Sequence, residues 1–451
     1  GGKGEMAASI AGTSQEKGRR CSGAATARLS GEAAESQKKL NDGIWCRPVM
    51  ENDLLRWDAL VLGPALSPYS FGFFSFRMTF SEEYPSTAPS VVITTTGGAK
   101  TRFNPNLYAD GKVCLSTLGT WRGESGEMWS SAQSIQSIMV SIQSLMDDQP
   151  FHNEPGFEKE AYKEGGKASK RAGRSQQSLA DLCKSYNQKI THESLRIAVC
   201  DVLEDLFKPD SDKLCSFPEV IKWHFLLYHQ AYLDIAEANK DVTGQFDIME
   251  FEYSRNEMAG SFDFGSLKER LDKIWDQLML ETRGWERKGE EMTAKGTDSY
   301  ECQQVNMALQ KFGRVPLEEV SASPQSTNMF VWDVTFMGGL DGGWWENGIY
   351  SLTLVFPPDF PDTSPRPKFE TVMFHPQISK EGYPFVGVSL YDWKNVTSIV
   401  QDIHNILRNP PNPDPRTWVN KDAANLYFNE GDKGREEYAR QVRKCAQRSM
   451  E

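Results

Sequence analysis

Of the eight cysteines in the chain, one stands where a nucleophile would be useful. Cys114 follows the tripeptide Asn104-Pro105-Asn106 and a Gly111 turn, so its thiol sits on a loop that two reaction partners could reach. Sulfur chemistry requires a reachable thiolate. Cys21, Cys46, Cys183, Cys200, Cys215, Cys302 and Cys445 read as packing residues. The eight cysteines lie far apart and form no CxxC pair, which supports neither a zinc cage nor a disulfide framework. Single thiols suit a reducing compartment. His224 and His229 do not share a helix face well enough to make a metal pair. Gly97-Gly98-Ala99-Lys100-Thr101 lacks the glycine before the lysine that a phosphate loop needs.

Composition narrows the rest. The 451 residues correspond to roughly three domain-sized units. A hydrophobic content of 39%, a charged content of 25% and 12 Trp predict that most of the chain folds. Fifty Lys+Arg against 62 Asp+Glu leave a formal charge of -12, which argues against nucleic acid as a partner. No apolar run is long enough to span a bilayer, and the first residues lack a secretory core, so no membrane partner is expected. The expectation is a soluble cytoplasmic protein, with nuclear residence open.

The elements that must hold Cys114 come next. Residues 1–27 have the composition of a flexible tail. Trp57, Ala59 and Val61 alternate, and so do Phe74, Phe76, Met78 and Phe80, which predicts half-buried strands. Val91 to Thr96 predicts a third strand. No helix-length crossover intervenes, so the sheet is an antiparallel meander. Ile135, Ile138, Met139, Ile142, Leu145 and Met146 share a helix face, with Ser130 and Ser131 as candidate caps. Residues 158–178 predict a mobile connection. Helices are expected over 195–207, over 218–239 opened by Ser216, and over about 266–282. The charged, Gly-containing stretch 285–299 predicts a boundary.

An internal repeat decides the architecture. Gly348, Tyr350, Leu352, Leu354, Phe356, Phe360-Pro361 and Pro365 reproduce Gly72, Phe74, Phe76, Met78, Phe80, Tyr84-Pro85 and Pro89 at an offset of 276 (348 against 72). From His375 and Gly382 onward the offset is 271 (382 against 111). The prediction is an α+β chain with two tandem copies of one domain, each an antiparallel meander sheet packed against helices, and a helical extension between them. The boundaries expected are 1–27 for the tail, 28–240 for the first copy with its extension, 241–299 for a helical connector and linker, and 300–451 for the second copy.

Asn104-Pro105-Asn106, Gly111, Cys114, Trp121 and Trp129-Ser130, together with Tyr84-Pro85 and Pro89, resemble the signature of ubiquitin-conjugating enzymes. In that family a His-Pro-Asn tripeptide precedes the thioester cysteine, which lies eight residues after the Asn (114 against 106). Ala88 departs from the family's loop proline. The stretch from Arg102 to Trp121, with Asn153-Glu154-Pro155-Gly156, is most similar to the large conjugating enzymes of the giant BIR-repeat type. The resemblance implies that Cys114 carries ubiquitin as a thioester and passes it to a substrate lysine. It also implies that Asn106 stabilises the developing oxyanion. Asn104 stands at the family's structural histidine, where an Asn can also cap the turn. Asp148, His152 and Glu154 occupy the region where the family places groups that help the lysine lose a proton. Trp121 and Trp129 read as packing residues.

In the second copy, His375-Pro376-Gln377 keeps the tripeptide with Gln for Asn, and the nucleophile's position is Phe385. A phenylalanine cannot form a thioester, so this copy resembles the family's catalytically dead variants, serving as a binding or scaffold domain. The implied partners are ubiquitin, a ubiquitin-activating enzyme and protein substrates, with no cofactor of the chain's own. Ser86 stands where the family often offers an apolar contact to a ubiquitin ligase, so ligase pairing is expected to be weak. Two other readings stay open, a non-catalytic ubiquitin-binding adaptor and a conjugating enzyme for another ubiquitin-like modifier.

Overall fold

The computed structural model describes residues 23–38, 43–50, 52–121, 128–158, 179–209, 215–253, 258–315, 317–338, 345–387 and 395–451. The first copy opens with helix α1 (Gly23–Lys38), followed by strands β1 (Ile44–Met50), β2 (Asp53–Leu62), β3 (Phe73–Thr79) and β4 (Ser90–Ile93) in the order β1-β2-β3-β4, and then by helix α2 (Ile135–Ser144). All pairs are antiparallel. Trp57 lies opposite Met78, Ala59 opposite Phe76 and Val61 opposite Phe74, so the alternating apolar residues of two strands meet on one buried face. Ile135, Ile138, Met139 and Ile142 of α2 are buried in the same core.

The second copy repeats this plan. Its strands β5 (Val320–Pro324), β6 (Val331–Met337), β7 (Ile349–Val355) and β8 (Arg366–Phe369) form an antiparallel sheet in chain order. Trp332, Val334 and Phe336 face Leu354, Leu352 and Tyr350.

Between the sheets run α3 (Leu179–Glu193), which continues through a π-helical stretch (Ser194–Asp201) into α4 (Val202–Leu206), then α5 (Pro218–Ala238) and α6 (Phe264–Ala294). Helix α7 (Tyr300–Gly313) leads into the second sheet, and α8 (Val396–Arg408), α9 (Lys421–Ala424) and α10 (Gly431–Arg448) complete the chain. Among the described residues, no helix is long and apolar enough to cross a membrane.

Several expectations are corrected by packing. Residues 23–27, assigned to the tail, begin α1, and Ala25 and Leu29 are fully buried. Two apolar positions give almost no period, but an Ala-rich segment needs few to form a docked helix. Residues 1–22 and 159–178, the remainder of the expected tail and connection, lie outside the described residues. Ser134, not Ser130 or Ser131, caps α2 in a reciprocal pair with Ser137. The buried Glu32 carboxylate assists by accepting from the Ile135 amide at 2.7 Å. Ser216 does not cap α5; its hydroxyl donates to Asp58 at 2.6 Å, and Pro218 starts the helix. The boundary expected over 285–299 falls partly inside α6, which runs to Ala294. Gly289 does not break it. A Cβ there would come within 2.6 Å of the Phe330 Cβ, so the glycine permits β6 to approach the helix closely.

Helix α5 carries the link between copies. Toward the first sheet, Tyr228 stacks on Phe71 at 3.9 Å and Tyr232 donates to the Phe71 carbonyl at 2.8 Å. Toward the second copy, Trp223 meets Tyr383 edge-on at 5.9 Å and Tyr228 donates to the Arg416 carbonyl at 2.6 Å. A helix apolar on nearly every side is a buried one. Arg366 of β8 clamps the same region, 2.5 Å from Glu281 of α6 and 4.0 Å above the Trp285 ring.

Candidate active site

The loop from Asn104 to Cys114 is closed by its own backbone. The Cys114 amide donates to the Asn106 carbonyl at 2.9 Å, and Gly111, at φ +95°, turns its carbonyl to the Ile93 amide at 2.9 Å. A Cβ on Gly111 would lie 3.0 Å from the Ile93 carbonyl, and the left-handed backbone favours glycine independently. Asn104 is fully buried. Its Oδ1 accepts from the Asn106 amide at 2.9 Å, while its Nδ2 donates to the Leu145 carbonyl at 2.7 Å and the Tyr69 hydroxyl at 3.0 Å. Tyr69 in turn donates to the Phe103 carbonyl at 2.7 Å.

These contacts bring Asn106 and Cys114 together. The Asn106 Nδ2 donates to the Cys114 carbonyl at 2.9 Å, which holds the carboxamide against the backbone of the cysteine. The thiol is not open as expected, because Cys114 is only 3% exposed. It belongs to neither apolar core among the described residues. The Tyr108 phenol lies near enough to the sulfur for their charges to interact. Burial pushes that phenol above its usual value, an effect that the Arg102 guanidinium opposes.

Arg102 organises this side of the site. Buried, it donates to the carbonyls of Pro105 at 2.5 Å and Phe251 at 3.0 Å, pairs with Glu154 at 3.0 Å and stacks over the Tyr108 ring at 4.3 Å. Glu154 is therefore tied through Arg102 to the Pro105 carbonyl of the same loop, and burial raises its carboxyl despite Arg102. The other two residues of that region face elsewhere. Asp148 is exposed, and its carbonyl accepts from Asn187 at 2.8 Å. His152 lies 3.6 Å from Cys183. Trp129 packs as expected, donating to the Pro85 carbonyl at 2.8 Å, but Trp121 is 46% exposed.

Sequence reasoning missed Arg102, Tyr108 and Phe251 as parts of the site. Arg102 and Tyr108 flank the tripeptide, so adjacency was the available signal. Phe251 is 149 positions from Arg102 and carries none.

In the second copy the Phe385 amide donates to the Gln377 carbonyl at 2.7 Å, and Gly382 turns its carbonyl to the Phe369 amide at 2.9 Å. His375 Nδ1 accepts from the Gln377 amide at 3.0 Å, and burial pushes its imidazole down to about 3. The Gln377 Oε1 accepts from the Asn412 amide at 3.0 Å. Phe385 is buried and meets His224 of α5 edge-on at 6.4 Å. Among the described residues, no group of three His, Cys, Asp or Glu could hold a metal ion.

The family model described as ubiquitin-conjugating enzyme matches residues 28–177 and again 304–446. The chain is 39% identical over 228 residues to the "Ubiquitin-conjugating enzyme E2 Z" of Xenopus tropicalis, covering 50% of this chain and 64% of that protein. It is equally identical over 231 residues to the Homo sapiens protein of that name, covering 50% of this chain and 56% of the relative. It is also 39% identical over 170 residues to the "Dual E2 ubiquitin-conjugating enzyme/E3 ubiquitin-protein ligase BIRC6" of Homo sapiens, covering 37% of this chain and 3% of that one. The E2 Z relatives are thus spanned over about 56 to 64% of their own length. Two sheets of one topology, the recurring loop and a double match covering more than half of the chain establish that it belongs to the ubiquitin-conjugating enzyme family.

Proposed function

We propose that the chain carries ubiquitin as a thioester on Cys114 and transfers it to a substrate lysine, while the second copy acts as a non-catalytic scaffold. The observation that carries this reading is the Asn106 carboxamide held 2.9 Å from the Cys114 carbonyl on the loop of the first copy, against Phe385 at the same place in the second. In the charging step, the Cys114 thiol loses its proton and its sulfur attacks the thioester carbonyl presented by an activating enzyme, whose cysteine leaves as thiolate. In the transfer step, a lysine amine attacks the new thioester, the carbonyl oxygen gains negative charge, and the Asn106 amide is near enough to donate to it. Collapse expels the Cys114 thiolate and leaves an isopeptide bond. Glu154, raised by its burial, is the carboxylate tied to this site that could accept the lysine proton.

The scaffold role of the second copy is supported by Phe385, which lies in the core shared with α5. We place the activity in the cytoplasm, where a reducing environment keeps a lone thiol available.

Incubation with activating enzyme, ATP and ubiquitin tests the proposal. The expected result is an adduct that reductant removes and that Cys114→Ala does not form. Loading of a different ubiquitin-like modifier would change the substrate and keep the mechanism. No adduct with any modifier would leave a binding adaptor.

A further inference from the structure

Outside the Cys114 loop, a second thiol has a base beside it. Cys183 of α3 places its Sγ 3.6 Å from the Nε2 of His152, which lies on the short 3-10 turn Pro150–Asn153. The other ring nitrogen, Nδ1, is 2.7 Å from the Phe157 carbonyl oxygen. A carbonyl can only accept, so Nδ1 carries the proton and Nε2 turns its lone pair to the sulfur. Phe151, edge-on to the imidazole at 5.9 Å, helps hold the ring. This is the arrangement of an activated nucleophile, with thiol, base and a third group that orients the base.

Cys183 differs from the buried thiols among the described residues. Cys46, Cys200 and Cys302 are buried, and burial pushes the Cys200 thiol up to about 12. Burial also raises Cys445. Cys183 is partly exposed, so it combines a neighbouring base with access. The contact pairs residues 31 positions apart and draws away from Cys114 an imidazole expected to serve lysine activation.

We propose that Cys183, with His152 as its base, is a modification site that forms a mixed disulfide with low-molecular-weight disulfides of the oxidised glutathione class. The Cys183 proton passes to His152 Nε2, and the thiolate attacks one sulfur of the disulfide. A new S–S bond forms as the old one breaks, and the departing thiolate takes the proton from His152. The incoming disulfide is the oxidant, and one of its halves leaves as thiol.

The test uses the full chain carrying Cys114→Ala, so that it reads out independently of any thioester function. Reduced protein is mixed with oxidised glutathione across pH 5.5 to 9.5, and peptide mass spectrometry follows the adduct on residue 183. The expected result is a rate whose midpoint lies at least about one pH unit below the ordinary thiol value near 8.5. His152→Gln is expected to return the midpoint to that value and to slow the reaction at pH 7 by about tenfold. An unmodified Cys183, or the same midpoint in both proteins, would overturn the proposal. If His152→Gln does not fold, the first protein decides alone, since a midpoint at or above about 8.5 is the profile of an unassisted thiol.

Discussion

The loops Asn104–Cys114 and His375–Phe385 have nearly the same hydrogen-bonded skeleton and different chemistry. In both, the last residue's amide returns to a carbonyl eight positions earlier, at 2.9 Å in one and 2.7 Å in the other. In both, the first residue's side chain accepts the amide two positions on, through Asn104 Oδ1 at 2.9 Å or His375 Nδ1 at 3.0 Å. An amide oxygen thus replaces an imidazole nitrogen without altering the turn. Asn104 gains two further donor contacts through its Nδ2, whereas His375 Nε2 finds no hydrogen-bond partner among the described residues. Main-chain bonds build the loop, so its final side chain is free to change. A buried thiol and an aromatic ring under α5 are two outcomes of one backbone.

The largest test of that contrast exchanges the residues. Cys114→Ala should abolish the reductant-sensitive adduct entirely, and Phe385→Cys in that background should not restore it, because position 385 is covered by α5; recovery of the adduct on residue 385 would show the two loops to be chemically equivalent. Next comes the carboxamide. Asn106→Ala should leave charging measurable in a single-turnover gel but slow lysine transfer by about 10²-fold, the usual consequence of losing one oxyanion donor. Gln377→Ala should leave both rates unchanged.

Stability separates the copies further. Arg366→Ala strips the half-buried Glu281 and Glu219 of a partner, leaving Lys222 alone to neutralise them. Breaking a buried pair from one side costs about 3–5 kcal/mol, and the partial exposure of both carboxylates lowers this, so denaturant unfolding followed by Trp fluorescence should lose about 2–3 kcal/mol. His375→Asn, which copies Asn104 into the second loop, has a smaller and pH-dependent effect. Burial holds the imidazole at about 3 in the folded chain against an ordinary value of 6.5. A depressed folded value means stability that is complete above 6.5 and lost as pH falls toward 3. The wild type should therefore lose on the order of 2 kcal/mol between pH 6.5 and 5, and His375→Asn should remove that part of the decline in urea titrations at the two pH values. The smallest effect is on Tyr108. Tyr108→Phe removes the hydroxyl near the sulfur and should speed iodoacetamide alkylation of Cys114 by a few-fold.

Much of the framework was legible because it is written in local spacing. The alternation of Trp57, Ala59 and Val61 against Phe74, Phe76 and Met78 specifies both strands and the face they share. The repeat survives because its turn residues and its loop residues each keep their own spacing. The juxtaposition of Asn106 and Cys114 follows from a tight turn between residues eight positions apart. What escaped is non-local. The hold of Phe251 on Arg102 and the turn of His152 toward Cys183 join segments separated in the chain, and no periodicity reports them. Helix α1 escaped for another reason, since two buried apolar side chains are too few to mark a face.

The sequence by itself determined two copies of one α+β domain and placed a cysteine in one loop and a phenylalanine in the other, because strand alternation, turn glycines and motif spacing act over a few residues. Only the tertiary structure decided that α5 would be shared by both copies, that Phe251 would hold Arg102, and that His152 would face Cys183. Those outcomes depend on which distant surfaces exclude water together, and burial of that kind is a property of the packed chain, not of any short stretch of it.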